Sequence, residues 1–293
     1  MVLSTENNTS ITNLPDFLGI GASKCGSTWI HEILKTHPHI YMPTRRKEVN
    51  YFNLDTNYEK GKEWYQSYFP DLESASGYQA IGEFTPRYLC SSSKSAKRIA
   101  ELGSVEKLIL ILRNPVDRAF SQYCHSLRAA HYTKPFEDYL IDRPSIISEG
   151  FYAKNLLPFL EYYDRELICC LIFETAIKNV AHTKVQLASF LAVDPSLFAA
   201  DSGSKKANKS YLPKYKFLNY WAAKANRLLV KQDLDWVINL ADSIGIRKFL
   251  QSSGKETLPT MSSETRTRLL DLYSEDVSKL EQLLDLDLSL WRK

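Results

Sequence analysis

The stretch Gly21-Ala22-Ser23-Lys24-Cys25-Gly26-Ser27-Thr28 sets small residues, one lysine and two hydroxyls between an apolar run and a helical one. The backbone N–H groups of such a loop, with the start of the following helix, cradle a phosphate, and Lys24 adds a positive charge. A nucleotide triphosphatase loop needs lysine immediately before Ser or Thr, with Mg²⁺ held by that hydroxyl and by an aspartate on another strand. Gly26 fills the lysine position here, and Arg113 stands where the carboxylate is needed. These residues suit an anion bound without a metal. Taken alone, the loop fits equally a plain strand-to-helix turn with a surface lysine. The second motif, Arg113-Asn114-Pro115-Val116-Asp117-Arg118-Ala119-Phe120-Ser121, favours the anion. It places a guanidinium at a strand end and a hydroxyl on the second turn of the next helix, a pair able to clamp another phosphate. Two anion sites on neighbouring strand ends describe a nucleotide phosphorylated at two places.

The elements that must position these groups follow from the pattern of apolar residues. Phe17 to Gly21 reads as a buried strand, and Thr28 to Leu34 as a helix that Pro38 stops. A second strand runs from Tyr78 to Phe84 and a helix from Ser93 to Leu102; Lys107 to Leu112 belongs in the centre of a parallel sheet. Asn114 is an N-cap and Pro115 a first helical residue, opening a helix to about Ala130. Helices over Pro135 to Asp142 and Glu149 to Arg165, a strand from Leu167 to Phe173 and a helix from Ala176 to Leu191 complete the series. Strands alternating with helices give an α/β fold, a P-loop-like parallel sheet flanked by helices, whose ligand sits beyond the strand carboxyl ends. Ser202 to Lys209 is a polar, basic loop, and the region from Tyr215 onward is helical with no strand signal. The expected organisation is a flexible N-terminus over 1–14 and a single domain over 15–293, with an α/β core to 215 and a helical part over 216–293.

Composition bounds the function. Hydrophobic residues at 44% and charged residues at 24% are ordinary globular values for a chain of 293 residues. A net charge of +3 is too balanced for a protein that coats nucleic acid, so no nucleic-acid partner is expected. Cys25, Cys90, Cys124, Cys169 and Cys170 lack metal-ligand spacing and read as reduced thiols. With no basic-then-apolar leader and no apolar stretch of about 18 residues, a cytoplasmic location and no membrane partner are expected.

The two motifs resemble those of the sulfotransferases that use 3′-phosphoadenylyl sulfate (PAPS). Lys24-Cys25-Gly26-Ser27-Thr28-Trp29 is similar to their 5′-phosphosulfate loop, and Arg113 through Ser121 to their 3′-phosphate motif. The likeness extends to the heparan sulfate N- and 3-O-sulfotransferase branch and its bacterial relatives, cyanobacterial tailoring enzymes among them. It rests on Lys47-Glu48-Val49-Asn50-Tyr51-Phe52-Asn53, Gly61-Lys62-Glu63-Trp64-Tyr65, Gly82-Glu83-Phe84-Thr85-Pro86-Arg87-Tyr88 and Gly150-Phe151-Tyr152, and covers about 15–215.

The resemblance implies transfer of a sulfuryl group from PAPS to a hydroxyl or amine, with 3′,5′-adenosine bisphosphate (PAP) as the other product and no metal. Lys24, Cys25, Gly26, Ser27 and Thr28 would hold the 5′ end, with Lys24 also at the departing phosphate oxygen; Arg113 and Ser121 would hold the 3′-phosphate. Glu48 would be the general base, although by its own sequence, beside Arg45, Arg46 and Lys47, it reads as part of a solvated charge run. His125, four residues after Ser121, faces the cleft and either assists the base or is a packed or surface residue. Trp29 either stacks on adenine or belongs to the core. Lys205, Lys206, Asn208 and Lys209 match a basic loop that closes over the 3′-phosphate, while Asn50, Glu83, Tyr88 and His131 are the acceptor-side candidates. Phe84 stands where the glycan enzymes have lysine, and their disulfide hairpin and Golgi anchor have no counterpart, so the expected acceptor is a small metabolite or natural product. Two rivals stand beside this: an ATP-dependent small-molecule kinase and a non-catalytic nucleotide-binding protein.

Overall fold

The computed structural model describes residues 13–129, 132–203, 211–213, 216–243 and 253–292. Five parallel strands form its sheet: β1 (Phe17–Gly21), β2 (Ile40–Tyr41), β3 (Ala80–Phe84), β4 (Lys107–Leu112) and β5 (Ile168–Ile172). Their order is β2-β3-β1-β4-β5. Phe17 pairs with both Gly82 and Lys107, so β1 is enclosed by ladders on each side. All five β1 residues are buried, which is why an apolar run with glycines, rather than an alternating pattern, builds it. A Cβ on Gly19 would fall 2.1 Å from the Phe84 ring, so the two strands approach this closely only because that position is glycine.

The connections decide where a ligand can sit. After β1 the chain passes through α1 (Ser27–Leu34) to the β2 edge, then returns through three short helices, α2 (Asp55–Tyr58), α3 (Gly61–Gln66) and α4 (Leu72–Ala75), to β3. From β3 it goes by α5 (Ser92–Leu102) to β4, and by α6 (Pro115–Arg128), α7 (Phe136–Asp142), α8 (Ser145–Ser148) and α9 (Tyr152–Leu160) to β5. The chain therefore leaves β1 toward one edge and β4 toward the other. The carboxyl ends of these adjacent strands flank the topological switch point, where an open α/β sheet leaves a crevice. The Ala22 N–H bonds the Ile111 carbonyl at 2.8 Å, carrying the β1–β4 ladder to the lip of that crevice.

The helix starts show how sequence sets the exits. Asn114 caps α6 through its side-chain oxygen, which accepts from the Val116 N–H at 3.0 Å, and Pro115 follows as expected. Following β5, α10 (Phe173–Ala176) leads to α11 (Val180–Leu191), whose cap is the Asn179 side chain on the His182 N–H at 3.0 Å. The helix read over Ala176 to Leu191 thus begins only at Val180, with Ile177 to Asn179 separating it from α10. The helix read over Glu149 to Arg165 is shorter too, because Gly150 packs against the Tyr273 ring and α9 starts only at Tyr152.

Beyond the sheet the chain forms β6 (Tyr211–Pro213), α12 (Lys216–Lys231), α13 (Asp235–Ser243), β7 (Ser253–Thr257) and the long helix Ser263–Leu284. β6 and β7 pair antiparallel, which corrects the expectation of no strand after Tyr215. The segment Ser253-Gly254-Lys255-Glu256-Thr257 has no apolar residue and so carries no strand signal. The long helix buries Leu269, Tyr273, Val277, Leu280 and Leu284 and lies along α9 and α6. Its Asp276 carboxylate accepts the Ala153 and Lys154 N–H groups at 2.9 and 3.0 Å, supplying the cap that α9 lacks from its own sequence.

Candidate active site

The loop after β1 is shaped by two residues with positive φ, Lys24 at 68° and Gly26 at 100°. Gly26 is the N-cap of α1, where no side chain caps the helix. A Cβ on Gly26 would lie 2.7 Å from the Phe173 ring, so conformation and space both require glycine. The first-turn N–H groups of α1 point out of the fold with the positive end of the helix dipole behind them. Lys24 stands three residues before the start of α1 in the same loop. Burial, and then the nearby Arg128 charge, push its ammonium down to about 8.

The loop after β2 brings a second cation to the same place. Lys47 Nζ donates to Ser27 Oγ at 3.3 Å, to Thr28 Oγ1 at 3.1 Å and to Glu48 Oε1 at 3.1 Å. Lys47 thus bridges the two hydroxyls of the anion loop and the candidate base. The backbone carrying Glu48 is fixed from behind. Asn50 has φ 56°, and its side-chain N–H donates to the Glu48 carbonyl at 2.9 Å. Its backbone N–H reaches the Thr85 hydroxyl at 3.2 Å, and the Tyr51 N–H reaches the Tyr88 hydroxyl at 3.2 Å. Both hydroxyls in turn donate to the Glu83 carboxyl, Thr85 at 2.8 Å and Tyr88 at 2.5 Å. Glu83 is fully buried, and burial raises its carboxyl to about 8 against the pull of those two hydrogen bonds. Glu83 and Tyr88 therefore stand behind the segment that bears Glu48 rather than on the cleft surface expected for acceptor contacts.

The loop after β4 supplies the second anion-receptive group. Arg113 is partly exposed, with its guanidinium 5.3 Å from the centroid of the Phe173 ring, and Ser121 lies two turns along α6. Arg118, by contrast, is buried and serves the fold, donating to Glu149 at 2.9 Å and to the Ile146 carbonyl. Glu174 fixes the turn, accepting the Asn114 N–H at 2.8 Å and the Trp291 indole N–H at 3.2 Å. The two loops are tied together by Tyr152, whose buried hydroxyl donates to the Arg113 carbonyl at 2.9 Å and sits 3.5 Å from Cys25 Sγ.

Other expected residues occupy less direct places. The Cys25 thiol is fully buried, pushed up to about 11 chiefly by burial, and is inert packing rather than a ligand group. Trp29 is 8% exposed and its indole N–H donates to the Gly203 carbonyl at 2.9 Å, the packed arrangement of the two read from sequence. His125 is exposed on α6, on the face it shares with Ser121 and Arg128. His131, Lys205, Lys206, Asn208 and Lys209 lie outside the described residues. Sequence assigns no role to Lys47, Arg128 or Tyr152: Lys47 and Tyr152 enter only within motifs of the resemblance, and what the Lys47 ammonium and the buried Tyr152 hydroxyl touch depends on the tertiary fold.

The sulfotransferase domain matches residues 14–265 of the chain. The chain belongs to that family. The match agrees with the resemblance read from Lys24–Trp29 and Arg113–Ser121. The bifunctional heparan sulfate N-deacetylase/N-sulfotransferase 4 of Mus musculus is 26% identical over 292 residues, covering 93% of this chain and 30% of the mouse protein. The membrane-associated sulfotransferase kil1 of Dictyostelium discoideum is 39% identical over 115 residues, 39% of this chain and 24% of that one. The chain thus spans less than a third of the length of these two relatives. A sulfotransferase from Alicyclobacillus acidocaldarius shares the fold, with TM-score 0.69 at 22% identity over 96% of this chain and 100% of the other. Among the described residues no helix is long and apolar enough to cross a membrane, and no cluster of His, Cys, Asp and Glu has the makings of a metal site.

Proposed function

We propose that this sulfotransferase takes its sulfuryl group from PAPS and places it on a hydroxyl or amine of a small-molecule acceptor. The observation that carries the reading is the pair of cationic loops at the switch point, joined through the Tyr152 hydroxyl at 2.9 Å from the Arg113 carbonyl and 3.5 Å from Cys25 Sγ. The residues present fit such a donor: an uncapped helix start with Lys24, Ser27, Thr28 and Lys47 for the 5′ end, and Arg113 with Ser121 for the 3′-phosphate. When bound, PAPS supplies an activated sulfuryl group attached through oxygen to phosphate. Glu48 takes the proton of the acceptor as its oxygen or nitrogen bonds to sulfur, and the sulfur–oxygen bond to phosphate breaks. Lys24 and Lys47 meet the charge left on that phosphate oxygen. His125 assists at the acceptor side, and the family resemblance gives Lys206, Asn208 and Lys209 the 3′-phosphate.

The small-molecule assignment rests on the sequence departure at Phe84, where the glycan enzymes have lysine; here the ring is packed fully buried against Gly19. Gly26 in place of a Walker lysine, with Arg113 at the β4 end, speaks against the kinase alternative. The test is transfer of labelled sulfate from PAPS to a panel of small hydroxyl and amine acceptors with a heparan-type polysaccharide included. Transfer to a small acceptor, at least about 100-fold reduced by Glu48→Gln with PAP affinity retained, is the expected result. Transfer to the polysaccharide alone overturns the acceptor class. Metal-dependent consumption of ATP, or PAP binding with no transfer to any acceptor, overturns the reaction.

A further inference from the structure

We infer that the helical hairpin α12–α13 is a docking face for an anionic lipid surface. The two helices are joined by a short turn in which the Gln232 and Asp233 N–H groups bond the Leu228 and Val230 carbonyls. Four large apolar side chains lie exposed along them: Trp221 at 49%, Leu228 at 57%, Trp236 at 64% and Leu240 at 55%. Trp221 and Leu228 are seven residues apart and Trp236 and Leu240 four apart, so each pair occupies one stripe of its helix. Lys224 falls between the first pair, with Nζ 5.1 Å from the Trp221 ring centroid. This is the arrangement of an interfacial helix, in which tryptophan seats at headgroup level and lysine reaches outward to phosphate.

Charge selects the occupant. α12 carries Lys216, Lys224, Arg227 and Lys231 and no acidic residue. The acids at the turn that follows are held in ion pairs: Asp235 pairs with Arg46 at 2.8 Å and with Arg45 at 3.3 Å, and Asp233 pairs with Lys60 at 2.5 Å. A helix whose sequence carries four basic residues and no acid, beside two exposed tryptophans, is drawn to anionic headgroups and repelled by a second copy of itself. The same ion pairs fasten the turn to the loop that carries Lys47 and Glu48, so docking sets the candidate active site at the bilayer surface. This departs from the expectation of no membrane partner and requires no spanning helix.

The test is co-sedimentation of the intact chain with vesicles of phosphatidylcholine, with and without phosphatidylglycerol, read together with tryptophan emission. Binding at least about tenfold tighter to the anionic vesicles, weakened by salt and accompanied by a blue shift, is expected. Trp221→Ser with Trp236→Ser should abolish the blue shift and lower binding about tenfold or more, and Lys224→Glu should lower it severalfold. Calorimetric affinity for PAP, unchanged in these variants, verifies that they fold and keeps the result separate from the donor assignment. Equal binding to neutral and anionic vesicles, or no binding to either at low salt, overturns the proposal. So does a concentration-dependent dimer that the same substitutions dissolve.

Discussion

Replacing Lys47 by methionine keeps most of the unbranched apolar stem of the side chain while deleting the cation between the anion loop and Glu48. The ammonium sits 3.1 Å from Thr28 Oγ1, 3.3 Å from Ser27 Oγ and 3.1 Å from Glu48 Oε1. A phosphate seated on those hydroxyls comes within about 4 Å of it, where two unit charges attract by ~4 kcal/mol at an effective dielectric near 20 and ~1 kcal/mol in water. The Lys47 side chain is 22% exposed, so the environment falls between these limits. A loss of about 2 kcal/mol corresponds to a roughly 30-fold weaker grip on the 5′-phosphate. Calorimetry with PAP should show that loss in Lys47→Met, with Lys47→Arg recovering much of it. Single-turnover transfer should slow by a similar further factor, because the same cation faces the charge that develops on the departing oxygen. PAP affinity within about twofold of the parent in Lys47→Met would refute the placement of the donor beside this lysine, since even the water limit demands about fivefold.

The Lys24 ammonium, lowered to about 8, loses its charge in the free protein as pH rises through that value, so PAP binding should weaken above pH 8 by up to about tenfold per unit with proton uptake. Calorimetry in buffers of different ionisation heat checks this, and Lys24→Ala should flatten the profile. Tyr152→Phe removes the hydroxyl that joins the two loops and strips the Arg113 carbonyl of its donor, costing ~1–3 kcal/mol. PAP affinity and thermal stability should both fall, and unchanged PAP affinity would deny Tyr152 any part in holding the two sites together. Glu83→Leu strips the Thr85 and Tyr88 hydroxyls of their acceptor, so that variant should melt about 3–10 °C lower and turn over more slowly with PAP affinity retained, whereas Glu83→Gln, which mimics the protonated carboxyl, should keep more of that stability at neutral pH. Because burial raises the Glu83 carboxyl to about 8, the stability its proton brings is full below its ordinary value of 4.5 and lost as pH rises to 8; the glutamine variant should lack that slope.

The part of the fold that carries the candidate site is the part most legible in sequence. β1 and β4 are continuous apolar runs buried on both faces, and the observed strands begin and end at the residues the pattern marks. Asn114-Pro115 announces a helix start by local chemistry alone, and the structure realises it. Legibility fails where tertiary contacts decide. β2 is two residues long and β7 is polar throughout, so pairing partners rather than intrinsic preference define them. The direction of Lys47 depends on how the loop after β2 folds back over α1, which no periodicity encodes. The resemblance of Gly82–Tyr88 makes Glu83 an acceptor-side candidate, yet the Thr85 and Tyr88 hydroxyls donate to its buried carboxyl and it braces Asn50 and Tyr51 through them.

On the proposed reading one nucleotide is gripped at both ends across the β1–β4 crevice, and a crystal structure of the chain with PAP decides it. The 5′-phosphate is expected at the N–H groups of α1 beside Lys24, Lys47 and Thr28, and the 3′-phosphate within hydrogen-bond reach of Arg113 and Ser121. Density for the nucleotide elsewhere, or with either phosphate turned out to solvent, would contradict it.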